Sequence, residues 1–189
     1  MTAGKKTFSA LFLTVTGVMA ALACISNLIR IPLGESMISV SNAVCVLCGL
    51  ILGPASGFLA AGIGNFLYDI FVGYGYESLI TFISKGAIAL VVAFLSGGLR
   101  KKEKLQPGDS PRLFLACALG ALTYVVLYML KTFIFGLTVN GLTMEATWIR
   151  MGAKLPASLI NAVFAAIAAP VFYAAVRPAL KHTDVLRRL

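Results

Sequence analysis

Polar side chains stand at helical spacing inside stretches of this sequence that are otherwise apolar. Tyr124, Tyr128 and Lys131 occupy positions i, i+4 and i+7, so they share one face of a helix. Hydroxyl, amide and ammonium groups aligned in this way can bind a small polar or charged solute between helices. Four segments carry such stripes: Asn65 and Asp69; Thr81 and Lys85; Tyr124, Tyr128 and Lys131; Lys154, Ser158 and Asn161.

The polar residues of each apolar segment lie near one end of that segment. A chain that crosses a membrane back and forth would gather all of these ends in one leaflet, which we interpret as the outline of a ligand site. Residues 30–40 are apolar enough to fold back over this end of the bundle. The predicted substrate-binding residues are Asn27, Arg30, Asn65, Asp69, Thr81, Lys85, Tyr124, Tyr128, Lys131, Lys154, Ser158 and Asn161.

The sequence offers few residues that could catalyse a reaction or bind a metal ion within the bundle. The one histidine, His182, lies in the C-terminal tail, which excludes a Ser-His dyad or a histidine-ligated metal within the bundle. Cys45 and Cys48 have C-x-x-C spacing but stand alone in an apolar stretch, which favours a packing role. No G-x-x-x-x-G-K-[ST] loop occurs, so any ATP must be hydrolysed by another chain. We predict no enzyme activity, no metal and no cofactor in this chain.

The composition is that of an integral membrane protein: 59% of residues are hydrophobic, 12% are charged and the mean hydropathy is +0.93. A span needs about 20 mostly apolar residues, so the uncharged run 36–68 must hold two spans, divided at Gly53-Pro54. We predict an all-α membrane protein, a compact single-domain bundle (1–189) of six transmembrane helices. The approximate spans are 7–29, 38–53, 54–73, 78–99, 113–135 and 148–176.

Lysine and arginine residues outside the apolar runs predict the orientation. They precede the first span, fill the hydrophilic loop 100–112 and follow the last span. An even number of spans places all three groups on one side, so we predict that both termini are cytoplasmic and that the polar helix ends face outward. The net charge of +9 is then mostly a topology signal that also suits anionic lipids. We expect a multi-pass protein of the cell membrane that binds no nucleic acid.

The N-terminus has a second interpretation as a cleavable signal peptide. Lys5 and Lys6 precede an apolar stretch, and Ala21-Leu22-Ala23 resembles a cleavage site. The apolar run is longer than a usual signal sequence, and cleavage would break the even count of spans. We therefore interpret it as the first helix.

Small residues form a stripe on this first helix. Thr16, Ala20 and Cys24 lie at i, i+4 and i+8, with Gly17 and Ala21 beside them. Helices in lipid associate through such residues, because small side chains let two backbones approach. The stripe fits either docking to a second membrane protein or packing within the bundle, and these five residues are the predicted docking surface.

The ionisable residues also allow a purely structural interpretation. A charge at membrane depth costs at least about 2.5 kcal/mol on insertion scales, so Asp69 and Lys85 could form an ion pair. Lys131, Arg150 and Lys154 could instead extend to the outer headgroups. Asn161 lies too deep in its helix for that and favours a cavity.

Local patterns along the chain are those of a known family. They are Leu52-Gly53-Pro54 followed by a small-residue helix ending in Asp69, Gly73-Tyr74, Thr81-Phe82-x-x-Lys85-Gly86, and Lys154-x-Pro156-x-Ser158-x-x-Asn161. With these patterns, its size and its six predicted helices, the chain resembles the substrate-binding S components of energy-coupling factor (ECF) vitamin transporters. The resemblance covers essentially the full length and is greatest to the riboflavin-type branch.

The resemblance implies a mechanism. In that family the S component binds a vitamin from outside, under a lid made by the first outer loop. It docks through its first helix on a transmembrane scaffold subunit driven by two cytoplasmic ATPases, which use ATP and Mg²⁺, and is thought to topple in the bilayer to release its cargo. Carried over, residues 30–40 are the lid and the predicted substrate-binding residues form the pocket.

The sequence leaves the substrate open among riboflavin, a pyrimidine or pyridoxine-like compound, pantothenate and a larger vitamin. Cationic residues around the outer site exceed acidic ones by a single charge, which does not decide among these compounds. The residues counted are Arg30, Lys85, Lys131, Arg150 and Lys154 against Glu35, Asp69, Glu77 and Glu145. Two other classes also remain: a structural or assembly membrane subunit, and a small membrane enzyme of lipid metabolism.

Overall fold

A computed structural model describes residues 10–33, 36–100 and 107–182. Over these residues the chain forms six α-helices and one short antiparallel hairpin. In chain order the elements are α1 (Ala10–Ser26), β1 (Arg30–Leu33), β2 (Ser36–Ser39), α2 (Ser41–Leu52), α3 (Pro54–Val72), α4 (Glu77–Arg100), a 3-10 turn (Pro107–Asp109), α5 (Ser110–Thr138) and α6 (Met144–His182).

The helical membrane fold predicted from composition is confirmed. Helices α3, α4, α5 and α6 are each long and apolar enough to cross a membrane. Helix α1 has 17 residues and α2 has 12, so at a rise of 1.5 Å per residue α2 is only about 18 Å long. Because hydrocarbon is about 30 Å thick, α2 cannot cross it alone as a straight helix. Six complete crossings and the orientation of the termini stay predictions.

The helices pack side by side in an order that leaves α2 in the middle. Helix α1 lies against α3, α3 against α4, α4 against α5 and α5 against α6, while α2 contacts α3, α4 and α6. Ten of the 12 residues of α2 are buried. The short helix is therefore enclosed by its longer neighbours, and its first turn opens toward the end of the bundle where the polar residues lie.

The break between α2 and α3 falls where the sequence predicts it. Helix α2 ends at Leu52, and Pro54 occupies the first turn of α3. Gly53 between them has φ of 85°, a conformation that costs glycine little and that L side chains rarely adopt. Proline suits the start of a helix because the missing N–H would have no partner there. This sharp turn lets two helices fit into one uncharged run.

Residues 30–33 and 36–39 pair as the two strands of an antiparallel β-hairpin, which the sequence pattern did not predict. Arg30 pairs with Ser39 and Leu33 with Ser36 across the two strands, and β2 packs against α6. The first helix therefore ends at Ser26, earlier than the predicted boundary of span 7–29. The predicted second span, 38–53, is helical only from Ser41.

The opposite end of the bundle brings the last turns of α4 and α6 together. Arg177 is buried there, and its guanidinium donates to the carbonyl oxygen of Leu99 at 3.1 Å. Seven of the basic residues used to predict the orientation lie outside the described residues: Lys5, Lys6, Lys101, Lys102, Lys104, Arg187 and Arg188. The acidic residue Glu35 also lies outside them.

Candidate functional site

A polar cavity of about 390 Å³ lies at the end of the bundle where the predicted polar helix ends meet. It is bordered by the turn that follows α1, the last turns of α3, the first half of α4, the second half of α5, part of α6, the start of α2 and the hairpin. Eleven of the twelve predicted substrate-binding residues line it. They are Asn27, Arg30, Asn65, Asp69, Thr81, Lys85, Tyr124, Tyr128, Lys131, Lys154 and Asn161.

Lys85 lies at the inner part of the cavity, two turns into α4, and its side chain is only 7% exposed. Its Nζ donates to Oδ1 of Asn42 at 2.5 Å and stands 4.5 Å from the centre of the Tyr124 ring. The ammonium thus has a neutral amide and an aromatic face as its close contacts. Asn42 is placed opposite Lys85 by the first turn of the buried helix α2.

Two tyrosines of α5 form an aromatic wall. Tyr124 and Tyr128 are one turn apart, and their rings stack at 5.5 Å between centroids with an interplanar angle of 18°. The Nζ of Lys154, on α6, stands 5.8 Å from the centre of the Tyr128 ring. Ammonium groups from α4 and α6 therefore contact neighbouring rings of one stack, and each contact is stabilised by the electrostatics of the ring face.

Asn65 holds three helices together beneath the cavity. Its Oδ1 accepts from Nδ2 of Asn27 at 2.9 Å and from Oγ of Ser41 at 2.6 Å, and its Nδ2 donates to the carbonyl of Ala61 at 2.8 Å. The side chain is 1% exposed. Since buried polar groups are costly unless hydrogen-bonded, this network explains how α1, α2 and α3 tolerate polar residues at their contact.

Asn161 fastens the hairpin to α6. Its Oδ1 accepts from the backbone N–H of Ser39 at 2.8 Å, and its Nδ2 donates to the carbonyl of Met37 at 2.8 Å. The amide thus pairs with one backbone donor and one backbone acceptor of β2, a short and partly exposed strand. The hairpin is held over the cavity by a residue more than 120 positions away in the sequence.

An ion pair stands at the rim of the cavity. Nζ of Lys131 lies 2.5 Å from Oε2 of Glu77, which joins the last turns of α5 to the first turn of α4. Nearby, Tyr76 stacks on Phe135 at 5.9 Å between ring centroids. Lys131 therefore has a carboxylate partner within the protein.

Ser158 is the predicted substrate-binding residue that the structure does not bring into the cavity. It has the helical spacing of its neighbours, but its Oγ donates to the carbonyl of Lys154 at 3.0 Å and its side chain is buried. A serine hydroxyl is short enough to bond its own helix backbone. Ser158 therefore shares a helix face with Lys154 and Asn161, but its short side chain bonds the backbone of its own helix instead of lining the cavity.

The five predicted docking residues divide between two faces of α1. Ala20 is buried against α3, where Gly64 lies so close that an added Cβ would collide with the Ala20 carbonyl oxygen. Gly17 and Ala21 are exposed, while Thr16 and Cys24 are partly buried. The outward-facing part of the stripe is therefore smaller than the sequence pattern indicated.

Several residues of the cavity wall were absent from the predicted set. Asn42 and Ser84 line it, and the hairpin contributes Ser36, Met37 and Ser39. Ser84 follows Thr81 at i+3, a spacing that shares a helix face as i+4 does, so the sequence contained that signal. The hairpin residues had no comparable signal because their position depends on pairing across the chain.

Over the residues that the structure describes, no group of three or more His, Cys, Asp or Glu side chains is placed to hold a metal ion. The groups around the cavity are mainly cationic, amide, hydroxyl and aromatic. They can bind an organic solute by hydrogen bonds, charge and ring contacts.

The fold and the cavity define a helical membrane protein with a polar chamber of solute size. A sequence model described as "ECF-type riboflavin transporter, S component" matches residues 7–178. The chain therefore belongs to the family of S components of ECF-type riboflavin transporters, as its sequence motifs indicated. It is a transmembrane protein of a transport system.

Two curated proteins are also similar to parts of the chain. One is an "Uncharacterized protein in gap 3'region" of Pyrococcus woesei, 27% identical over 58% of this chain and 69% of its own length. The other is a "UPF0397 protein" of Streptococcus gordonii (strain Challis), 33% identical over 51% of this chain and 54% of its own length. The matches thus span about two thirds of the first relative and about half of the second.

Proposed function

We propose that this chain is the substrate-binding subunit of an ECF-type transporter and captures a vitamin or vitamin precursor from outside the cell. Partner subunits then drive uptake by hydrolysing ATP. The sequence contains no P-loop of its own, which supports placing hydrolysis in two cytoplasmic ATPase subunits. A transmembrane scaffold subunit joins them to this chain in the cell membrane.

One observation carries the proposal: a polar cavity of about 390 Å³ opens within an otherwise apolar bundle. This volume lies in the range of about 300–1,000 Å³ that is usual for small-molecule sites. Ionisable groups at membrane depth are costly and generally serve a function. A purely structural subunit would be more stable with apolar residues in place of Lys85, Lys154 and Asp69.

The direct ligand contacts in this proposal are side chains that project into the cavity from α4, α5 and α6. Lys85 and Lys154 supply positive charge, and the stacked rings of Tyr124 and Tyr128 supply an apolar wall with hydroxyl groups. Thr81 adds a hydroxyl group on the α4 side. Their convergence on one volume supports this assignment.

The asparagines act in support of these contacts. Asn27 and Asn65 are engaged in the network that joins α1, α2 and α3, so they shape the floor of the site. Asn161 holds the hairpin, which serves as the cover that a ligand must pass. Asp69 and the Lys131–Glu77 ion pair complete the polar border.

The orientation and the docking surface follow from physical arguments on the sequence. Lysine and arginine residues are concentrated outside the opposite ends of the helices, and this supports an orientation in which the cavity faces the outside of the cell. The exposed small residues of α1, Gly17 and Ala21, allow close approach of a helix from the scaffold subunit. Substrate release then requires that the whole S component change its tilt against that partner.

The proposal is tested by identifying what the protein binds. Purified protein is extracted and the extract analysed by mass spectrometry, and vitamins and their precursors are then titrated by calorimetry. We expect one tightly bound compound. Lys85→Met should weaken its binding at least about tenfold, the effect of losing one hydrogen bond to a charged group, while the protein still elutes as a folded species.

The matched control is Arg112→Gln, which removes a positive charge from an exposed position at the far end of α5. Its affinity should equal that of the unmodified protein. If the extract holds no ligand and no compound binds at micromolar protein, the chain is not a substrate-binding subunit. If Lys85→Met binds as tightly as the unmodified protein, the assignment of this cavity is wrong.

A further inference from the structure

The position of the β-hairpin along α6 sets its depth in the membrane. Asn161, which bonds the hairpin, stands at the middle of the 35-residue apolar stretch Met144–Pro178 of α6. A crossing needs about 20 residues, and any run of about that length within this stretch includes its middle. Since Ser39 and Met37 are hydrogen-bonded to Asn161 at 2.8 Å, β2 lies beside the part of α6 that crosses the bilayer.

The short helix α2 agrees with this depth. Its 12 residues span about 18 Å, whereas the hydrocarbon of a bilayer is about 30 Å thick. The hairpin precedes α2 directly, since β2 ends at Ser39 and α2 begins at Ser41. The hairpin therefore occupies part of the membrane depth that α2 leaves unfilled.

One face of the hairpin is turned to the cavity. Residues paired across two antiparallel strands project to the same face, and successive pairs project to opposite faces. The pairs Arg30–Ser39 and Pro32–Met37 therefore share a face. Three of these four residues, Arg30, Met37 and Ser39, border the cavity.

The opposite face of the hairpin is apolar and open. It carries the pair Ile31–Ile38 and, at the tip, the pair Leu33–Ser36. Ser36 borders the cavity, but Ile31 is 65% exposed, Leu33 is 40% exposed and Ile38 is partly buried. An antiparallel sheet in water turns its apolar face to the core, whereas strands in a membrane have the apolar face outward and the polar face inward. The hairpin has the membrane arrangement.

The apolar surface continues on the neighbouring parts of the chain. The guanidinium of Arg30 stands 5.3 Å from the ring of Tyr68, one turn before the end of α3. Helix α3 is long and apolar enough to cross a membrane. Exposed apolar side chains lie next to this contact in the sequence, before β1 and in the last turn of α3: Leu28, Ile29, Ile70, Phe71 and Val72. The outward face of the hairpin is thus continuous with surface that a transmembrane helix turns to lipid.

We propose that the outward face of the hairpin, formed by Ile31, Leu33 and Ile38, contacts the acyl chains of the leaflet at the cavity end. Non-helical backbone at membrane depth is tolerated where it lines a cavity that water can enter, and the inner face of the hairpin meets this condition. The bilayer then holds the hairpin over the cavity, because opening it would move apolar side chains from lipid to water. This inference goes beyond the proposed function and does not depend on which compound the cavity binds.

The contact is tested with a nitroxide spin label on Ile31→Cys, in the full chain with its four native cysteines replaced by alanine. The labelled protein is reconstituted in phosphatidylcholine vesicles. Electron paramagnetic resonance then measures how often the label collides with O₂, which concentrates among acyl chains, and with a water-soluble nickel chelate.

Two labelled positions serve as controls. Val163→Cys is the lipid control, because Val163 is exposed on α6 only two residues after Asn161 and so lies at the depth of the hairpin. Gly108→Cys is the water control, because Gly108 is exposed in the 3-10 turn and nothing lies within 4 Å of an added Cβ there. The ratio of O₂ to nickel collisions for Ile31→Cys should be close to that of Val163→Cys and well above that of Gly108→Cys.

A second measurement keeps the native cysteines. Ile31→Thr retains a β-branched residue suited to a strand but puts a hydroxyl group on the outward face. Hydrogen exchange over residues 36–39, measured by mass spectrometry in lipid nanodiscs, should accelerate about tenfold, the effect of losing the transfer of an isoleucine side chain into an apolar phase. Ile31→Leu keeps the apolar volume and should exchange at the rate of the unmodified protein.

Each other outcome overturns the inference and leaves the proposed function standing, since that function is tested by ligand extraction and titration. A label at position 31 that collides with the nickel chelate as often as the label at position 108 would show that this face lies in water. A label shielded from both reagents would show that protein, a second copy of the chain, covers the face. Unchanged exchange in Ile31→Thr would show that lipid does not hold the hairpin.

Discussion

At the scale of single residues, the side chains around the cavity fall into two groups. Some face the cavity and are available to a ligand, and others are hydrogen-bonded within the protein and fix its helices and strands. Lys154 contacts one ring and is otherwise turned to the cavity, whereas Asn65 and Asn161 use their amides on partners within the chain. A hydrogen bond within a protein contributes about 1 kcal/mol net, but a partner left buried and unsatisfied costs about 1–3 kcal/mol. Asn65 and Asn161 therefore affect ligand binding indirectly, by fixing the positions of the helices and the hairpin around the cavity.

Asn161→Ala should loosen the hairpin without unfolding the bundle. The change leaves the N–H of Ser39 and the carbonyl of Met37 without their side-chain partner. Hydrogen exchange measured by mass spectrometry should therefore accelerate over residues 36–39, by about tenfold for about 1.4 kcal/mol of lost protection. Ligand should also dissociate faster, because the hairpin covers the site.

Ser158→Ala is the matched control for this experiment. The residue lies one turn away on the same helix, and its hydroxyl bonds its own helix backbone. Exchange over 36–39 and ligand dissociation should both stay as in the unmodified protein. Unchanged exchange in Asn161→Ala would show that the hairpin does not depend on this amide.

At the scale of elements, close approach between helices sets the positions of the polar residues. Gly64 of α3 lies against Ala20 and Ala23 of α1, with the Ala23 Cβ 2.8 Å from where a Gly64 Cβ would stand. Gly49 of α2 likewise lies against the backbone of Ala89 in α4. Larger side chains at these contacts would separate the helices and widen the cavity floor.

Gly64→Ala should destabilise the protein by about 1–3 kcal/mol, the usual cost of overpacking a well-packed contact. The added methyl group would collide with the Ala20 carbonyl oxygen, which is backbone and cannot rotate away. Thermal unfolding in detergent is the measurement, and the midpoint should fall.

Gly17→Ala serves as the control on α1 for that experiment, since nothing lies within 4 Å of an added Cβ there. Alanine favours a helix over glycine by about 1 kcal/mol, so this midpoint should stay the same or rise. Equal effects of the two substitutions would contradict the close α1–α3 contact.

The sequence was sufficient to predict the elements that obey local rules. Long apolar runs identified the helices α3 to α6, and Gly53-Pro54 identified the turn between α2 and α3. The polar residues at one end of each apolar run predicted that these ends would lie together in the fold. These features depend on hydropathy, helical spacing and backbone conformation, which a single segment carries by itself.

Features that depend on distant partners could not be predicted in the same way. Each strand of the hairpin has only four residues, and its position is set by Asn161 on the last helix. The short α2 is stable because its neighbours enclose it, which no property of its own twelve residues indicates. Ser158 matched the helical spacing, but its hydroxyl bonds its own helix.

At the scale of the whole molecule, the proposed function depends on one polar chamber at one end of the bundle. The apolar helix faces suit lipid on the outside of the bundle, and the proposed orientation, with the excess of basic residues in the cytoplasm, has the chamber facing outward. A substrate-binding subunit needs this arrangement, since it must accept its ligand on one side of the membrane and leave the opposite end to its ATPase partners.

The most direct test is the reactivity of one cysteine in the cavity wall. Ser84→Cys is made in a chain whose four cysteines, Cys24, Cys45, Cys48 and Cys117, are replaced by alanine. Gly108→Cys, at the other end of the bundle, is the control. A membrane-impermeant thiol reagent is applied to right-side-out vesicles with and without the compound that binds most tightly.

We expect Ser84→Cys to react from outside, and ligand at ten times its Kd should slow the reaction about tenfold, because only the ligand-free fraction is open to the reagent. Gly108→Cys should react only from the inside, at a rate that ligand does not change. Labelling of Ser84→Cys from the inside alone, or an unchanged rate with ligand present, would contradict an outward-facing cavity that holds the substrate.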